Sequence, residues 1–279
     1  MKRALVLSGG GAKGAFQAGV IESLQIKNIA FGFVSGVSVG ALNAVMVAQN
    51  QIPEMVKMWQ QIKSSKDVYT KRLLGFLSPL FGASSLYDPG PLSHIIRENV
   101  DSDRLKHSGI QLRIGMVNLV SGTYSVADQD HPKLPDCILA STAIPLAFPP
   151  VSLADGGDPM VDGGIRNIAP LAEAIEWGAE EIHVILCQDR NFVPEKKNYR
   201  HPMNIVLRSL DILMDEMVRS DIEICRRKNQ QAERYRNVTL YVYSPGIPLC
   251  GTLEFSKTRI NQAIDHGRQV AEEVFHEIA

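Results

Sequence analysis

Two apolar runs within the first forty residues each end in a glycine-rich turn and pass into a helical pattern. No other feature constrains the fold as much. Ala4–Leu7 leads into Ser8-Gly9-Gly10-Gly11-Ala12-Lys13-Gly14, after which Phe16, Val20, Ile21 and Leu24 recur at helical spacing. Phe31–Val34 leads into Gly36-Val37-Ser38-Val39-Gly40 and a helical stretch over Ala41–Ala48. Strand, turn and helix, twice in succession, predict a parallel sheet covered by helices, hence an α/β fold. Leu112–Asn118 and Thr123–Val126 read as a strand pair around Ser121-Gly122, and Ile182–Leu186 and Val238–Tyr243 as further strands. Two long helices carry apolar stripes, one at Val206, Leu210, Leu213 and Met217, the other at Ile260, Ile264, Ala271, Val274 and Ile278. Both stripes are expected to pack on the core.

A chain of 279 residues with neither repeat nor linker is read as one domain, 1–279, with 200–279 as its helical C-terminal part. It is large enough to bury a core without disulfide or metal staples. A net charge of −1 with 21% charged residues gives no electrostatic reason to expect nucleic acid or an anionic membrane as partner. Cys137, Cys187, Cys225 and Cys250 stand far apart with no CxxC pair, the pattern of reduced structural thiols in a cytoplasmic protein. Met1–Leu7 reads as a first strand, not an export signal, and no apolar run is long enough to span a bilayer. Residues 53–91 divide into a helical part around Met55, Met58, Trp59 and Ile62, and a stretch with Lys71, Arg72, Leu73, Leu74, Phe76, Leu77, Leu80 and Phe81. That stretch is read as a segment packed on the sheet, or else as a cover touching lipid at the membrane periphery.

The glycine turn admits two kinds of chemistry. Gly9 to Gly14 satisfies GxGxxG between a strand and a helix, the form of a dinucleotide loop. That reading needs an acidic residue near position 35, where the chain has Val34-Ser35-Gly36; a Walker loop fails because Ala15-Phe16 follow Gly14. Alternatively, backbone N–H groups of such a turn can converge on a developing oxyanion. Ser38, between Gly36 and Gly40, suits a cramped strand-to-helix turn with its hydroxyl presented. A serine nucleophile needs a base. His94, His107, His131, His183, His201, His266 and His276 all lack a motif and read as structural or solvated. Two Asp-Gly-Gly triplets, at Asp155 and Asp162, are better placed: a partly desolvated carboxylate is an effective base. Asp155 is read as a β-turn residue, and Asp162 follows the apolar Met160-Val161 step.

The GGGAKG turn, the GVSVG elbow, the Ala140–Pro150 block (ASTAIPLAFPP) and the DGG triplet, in that order, resemble the patatin-like phospholipase family over residues 5 to about 173. The resemblance implies a three-layer α/β/α fold and a lipid acyl hydrolase with a Ser–Asp dyad and neither metal nor organic cofactor. By matching positions it implies Ser38 as nucleophile and Asp162 as base, the latter because Asn167 and Pro170 follow it. The amides of Gly10, Gly11 and Ala12 would form the oxyanion hole, with Gly9, Lys13, Gly14, Gly36, Gly40 and Gly163 supporting loop and elbow. The substrate implied is a lipid or other acyl ester. Two rival readings stand beside it: a serine acyltransferase with a histidine partner and an acyl thioester donor, and a nucleotide- or anion-binding module using the glycine loop.

Overall fold

In the computed structural model the described residues are 1–72, 84–188, 202–229 and 237–276. The first strand, β1 (Arg3–Leu7), is buried from Ala4 onward, and its alternating side chains define two layers. Leu5 and Leu7 pack with Phe16, Ala44 and Ile264 on one face; Ala4 and Val6 pack with Ile168, Leu171 and Ala174 on the other. A strand apolar on both faces belongs in the middle of a parallel sheet. Accordingly β1 lies between β2 (Phe33–Val37) and β9 (Glu181–Ile185), parallel to both.

The remaining strands are β3 (Thr70–Lys71), β4 (Tyr87–Asp88), β5 (Gln111–Asn118), β6 (Tyr124–Asp128), β7 (Val151–Ser152), β8 (Pro159–Asp162) and β10 (Thr239–Tyr243). The main sheet runs β10-β9-β1-β2-β5-β8-β7, with β6 also paired to β5. β10, β9, β1, β2 and β5 are mutually parallel; β6, β7 and β8 form the antiparallel end. β3 and β4 make a separate two-stranded ladder.

The helices are α1 (Gly14–Ile26), α2 (Val39–Ala48), α3 (Ile52–Gln61), α4 (Gly90–Asn99), α5 (Ser102–His107), α6 (Leu134–Ser141), α7 (Leu171–Trp177), α8 (Pro202–Asn229) and α9 (Lys257–His276). Asn28, Asn50 and Gly178, all with positive φ, end α1, α2 and α7, as left-handed residues commonly do. α1, α2 and α9 cover one face of the sheet and α7 the other, giving three layers. No described helix is long and apolar enough to cross a membrane.

Part of the cover segment read over 53–91 is packed structure. α3 buries Met55, Val56 and Trp59, while Tyr69 packs tilted against Tyr87 and edge-on against Phe148. Leu73, Leu74, Phe76, Leu77, Leu80 and Phe81 lie outside the described residues, as do His201 and Ile278. The last helix stripe is as expected: Ile260, Ile264 and Ala271 are buried. The α8 stripe is a correction. Val206 and Leu213 are exposed, and the helix instead buries Val218, Ile222 and Cys225. Spacing alone marks an apolar stripe but does not say which side meets the body. All four cysteines are free and buried.

Candidate active site

β2 ends at Val37, and the chain reverses at Ser38 into α2. Ser38 has φ 57° and ψ −127°, a conformation strained for any residue with a Cβ. The turn closes only because its flanks lack side chains. A Cβ at Gly36 would collide with the Gly40 carbonyl, and one at Gly40 with the Leu7 carbonyl. The elbow is held from behind by α6: the Ser38 amide donates to Ser141 Oγ at 2.8 Å. Ser141 in turn donates to the Gly115 carbonyl of β5 at 2.6 Å. Ser38 is thereby buried at the start of α2, where the helix dipole favours negative charge.

Sheet register brings Asp162 to this point. Gly115 of β5 is flanked by Val37 of β2 and Val126 of β6. The next residue, Met116, is flanked by Asp162 of β8 and Ser125 of β6. β8 therefore takes over the edge of β5 where β2 leaves it, and its last residue is placed at the elbow. Gly163 permits the close approach: a Cβ there would sit 2.5 Å from the Gly115 carbonyl oxygen and 3.0 Å from Val37 Cγ1. Asp162 is 2% exposed, and burial raises its carboxyl pKa to about 6, although the Ser38 hydroxyl and the Gly164 amide favour its ionised form. The Gly164 amide donates to Asp162 Oδ1 at 2.8 Å. Asp155 lies in an exposed turn closed by Gly157 N–H to the Ala154 carbonyl, as read from the sequence.

The glycine loop faces the elbow from the end of β1. Gly10 and Gly11 have φ of 156° and 58°, within the range that favours glycine. Among the described residues neither amide has a backbone partner, and both residues line a small cavity with Ser38 and Asp162. Its volume of about 30 Å³ has room for a water or a carbonyl oxygen. Ala12 departs from the expected three-donor hole, because its amide donates to the Thr252 carbonyl at 2.9 Å. Gly9 is pinned by its own N–H to the Ile168 carbonyl at 3.0 Å, and Gly14 opens α1. Lys13 pairs with Asp211 of α8 at 3.8 Å, both largely buried.

A buried polar chain supports the loop from below. Gln17 donates to the Ser8 carbonyl at 2.8 Å, Asn43 to Gln17 Oε1 at 2.9 Å, and Trp59 to Asn43 Oδ1 at 2.9 Å. The supporting roles of Gln17, Asn43, Trp59, Ser141, Asp211 and Thr252 escaped the sequence reading, which placed Trp59 only on a helix face and Ser141 only in the Ala140–Pro150 block. The only sequence sign of Gln17 and Asn43 is a polar residue on an otherwise apolar helix face.

Gly11, Ser38 and Ile144 also line a second, adjoining cavity of about 520 Å³. Its walls are mainly apolar, with Leu42, Met46, Met58, Ile62, Phe148 and Phe255 among them. Its size and lining are those of a ligand pocket, and methionines adapt to flexible apolar guests. Among the described residues no histidine lines either cavity. His183 is instead enclosed between Tyr243 and Glu181, at 2.8 and 2.9 Å.

Comparison with known proteins places the chain among relatives in sequence and in fold. A family model described as patatin-like phospholipase matches residues 5–175. The uncharacterized protein YqhO of Bacillus subtilis is 28% identical over 187 residues, 60% of this chain and 64% of YqhO. Among solved structures, VipD from Legionella pneumophila is similar in fold, with a TM-score of 0.53 at 14% identity over 99% of this chain and 67% of VipD. The family match spans more than half the chain and takes in both the glycine loop and the Ser38 and Asp162 turns, so this chain belongs to the patatin-like phospholipase family.

Proposed function

We propose that this protein hydrolyses carboxylic esters of lipids through a Ser38–Asp162 dyad and an acyl-enzyme. The observation that carries the reading is the convergence of Ser38, Asp162, Gly10 and Gly11 on one small cavity beside a large apolar one, with neither glycine amide bonded to backbone among the described residues. The acyl chain occupies the apolar cavity, with the ester carbonyl at the small one. Asp162 takes the hydroxyl proton as Ser38 Oγ adds to the carbonyl carbon, and the oxyanion receives N–H bonds from Gly10 and Gly11. One such donor is typically worth about 3–4 kcal/mol of barrier. The tetrahedral adduct collapses, the alcohol leaves with the proton from Asp162, and the acyl group stays on Ser38. Water, deprotonated by the same carboxylate, then attacks the acyl-enzyme and releases the fatty acid.

Burial of Asp162 supports its role: a carboxyl titrating near 6 is a far better base than one in water and is still ionised at neutral pH. The acyltransferase alternative needs a histidine at Ser38, and the described lining of both cavities contains none.

The test is fluorophosphonate labelling of the wild type, Ser38→Ala, Asp162→Asn and Asp155→Asn, with turnover of a medium-chain ester. Labelling and turnover should vanish in Ser38→Ala, be impaired in Asp162→Asn and persist in Asp155→Asn. Undiminished turnover in Ser38→Ala would refute the mechanism.

A further inference from the structure

We propose that a third cavity, of about 510 Å³ between α8 and the sheet, holds the leaving alcohol and selects one that carries both a phosphodiester and an ammonium group. The assignment rests on the acyl-hydrolase reading above and adds to it which alcohol is released. Three cavities meet in series. The apolar cavity and the small catalytic cavity share Gly11, Ser38 and Ile144 as walls. On its other side the catalytic cavity shares Ile168 and Gln188 with the third. Ile168 stands at this joint: its Cδ1 is 2.5 Å from where a Cβ on Gly9 would lie and 2.7 Å from where one on Gly164 would lie. A single side chain, wedged between the glycine loop and the Asp162 turn, therefore faces both spaces. Along α8, Met214 lines the catalytic cavity, and Asp215, Glu216 and Arg219 line the third. From Met214 to Arg219 the helix rises about 7–8 Å, a step that a glycerol backbone with its phosphate can span.

The third cavity differs in chemistry from the apolar one. Its floor is Ser8, Ile168 and Leu186, all buried, and the walls that α8 adds are charged. Arg219 Nε is buried with no hydrogen-bond partner among the described residues. A buried donor without a partner is rare in a folded protein and marks a place for a ligand atom. For a guanidinium the matching group is a phosphate, which it can engage through two parallel bonds. Asp215 lies one turn earlier. Burial raises its carboxyl pKa to about 6, although Arg219, Lys13 and Arg208 favour the ionised form while Asp211 opposes it. Glu216 adds a second carboxyl group to the wall. Asp211 is already engaged, by Lys13 at 3.8 Å and Gln188 at 3.3 Å, and Glu223 by Arg227 at 2.9 Å.

Both signs of charge therefore face one space, and this decides what fits. A neutral alcohol would leave the Arg219 guanidinium without a counter-charge. A phosphomonoester, with a second negative charge, would meet Asp215 and Glu216. An alcohol with one phosphodiester charge and one ammonium answers both. No part of α8 falls within residues 5–175, so this wall does not come with the family match.

The test measures binding of glycerophosphocholine, a leaving alcohol without its acyl chain, to the whole chain carrying Ser38→Ala by isothermal titration calorimetry. It should bind about tenfold more tightly than glycerol, glycerol phosphate or inorganic phosphate. Adding Arg219→Gln should weaken it about tenfold and Arg219→Lys less, while Asp215→Asn should narrow the gap to glycerol phosphate. With Ser38 restored, a dissolved short-chain acyl glycerophosphocholine is compared with the matching monoacylglycerol. The ratio of their kcat/KM values should fall about tenfold in Arg219→Gln and recover in part in Arg219→Lys, which a loss of folding would not produce. Equal binding of the four probes, or a ratio unmoved by Arg219→Gln, would overturn the proposal. So would inorganic phosphate binding as tightly as glycerophosphocholine, since the site would then hold a free anion. Arg219-dependent binding of glycerophosphocholine with no labelling of Ser38 would leave the site standing and refute the dyad; labelling with Arg219-independent binding would do the reverse.

Discussion

Ser141 and Ser38 are joined by a hydrogen bond from the Ser38 amide to Ser141 Oγ, 2.8 Å long and fully buried. Because Ser141 also donates to Gly115 of β5, it fastens the strained elbow to the strand beside it. Positive φ at a residue with a Cβ costs ~1–3 kcal/mol, and this staple is part of what holds it.

Ser141→Ala should therefore do two things. It leaves a buried amide and a buried carbonyl unpaired, costing about 1–3 kcal/mol of stability. It also loosens Ser38, so kcat should fall about tenfold with KM nearly unchanged. Thermal denaturation and steady-state kinetics check both, and an unchanged kcat would deny Ser141 its positioning role.

Gly163→Ala tests the register argument. The new Cβ, 2.5 Å from the Gly115 oxygen, must push the Asp162 turn away from β5 and Val37. A displacement near 1 Å at a base costs about a hundredfold in rate. Turnover should drop on that scale, while fluorophosphonate labelling of Ser38 slows.

The pH dependence of kcat/KM should report Asp162. With its pKa raised to about 6 by burial, the carboxylate form is lost as pH falls through that value. The rate should plateau above it and decline tenfold per pH unit below. Asp162→Asn should abolish this limb along with most of the activity.

The same burial has a stability sign. A carboxyl whose folded pKa lies above its unfolded value of 3.8 destabilises the fold at pH values above both. Asp162→Asn, which can still accept from Gly164, should melt higher than wild type at pH well above 6. The gain, on the order of 3 kcal/mol, should shrink as pH falls towards the unfolded value. Calorimetry at several pH values measures it.

His183 acts in the opposite direction. Burial lowers its pKa below the ordinary 6.5, although Glu181 beside it favours the charged form and Arg3 opposes it. Below that value the unfolded chain takes up a proton that the folded chain resists, so stability falls as pH falls. His183→Gln should flatten this part of the curve in thermal melts, without altering the activity limb assigned to Asp162.

Local steric rules made much of the fold legible. A strand apolar on both faces, glycines at Gly10 and Gly11 where φ is positive, and small flanks around Ser38 are all consequences of neighbouring residues. So is the turn at Asp155. The α8 stripe misled because helical spacing reports periodicity, whereas burial depends on which side meets the body.

By itself, then, the sequence determined the α/β class and the two turns, because each follows from contacts short in chain distance, while Ser38 and Asp162 are picked out as candidate nucleophile and base by the resemblance of their motifs. Only the tertiary structure decided that they meet. Asp162 reaches Ser38 because β8 takes the edge of β5 that β2 vacates, a matter of strand order. The Thr252 carbonyl likewise engages the Ala12 amide, and Asp211 pairs with Lys13, through segments remote in sequence. Backbone amides look alike in any glycine loop, and what is folded against them settles which remain free to bind an oxyanion.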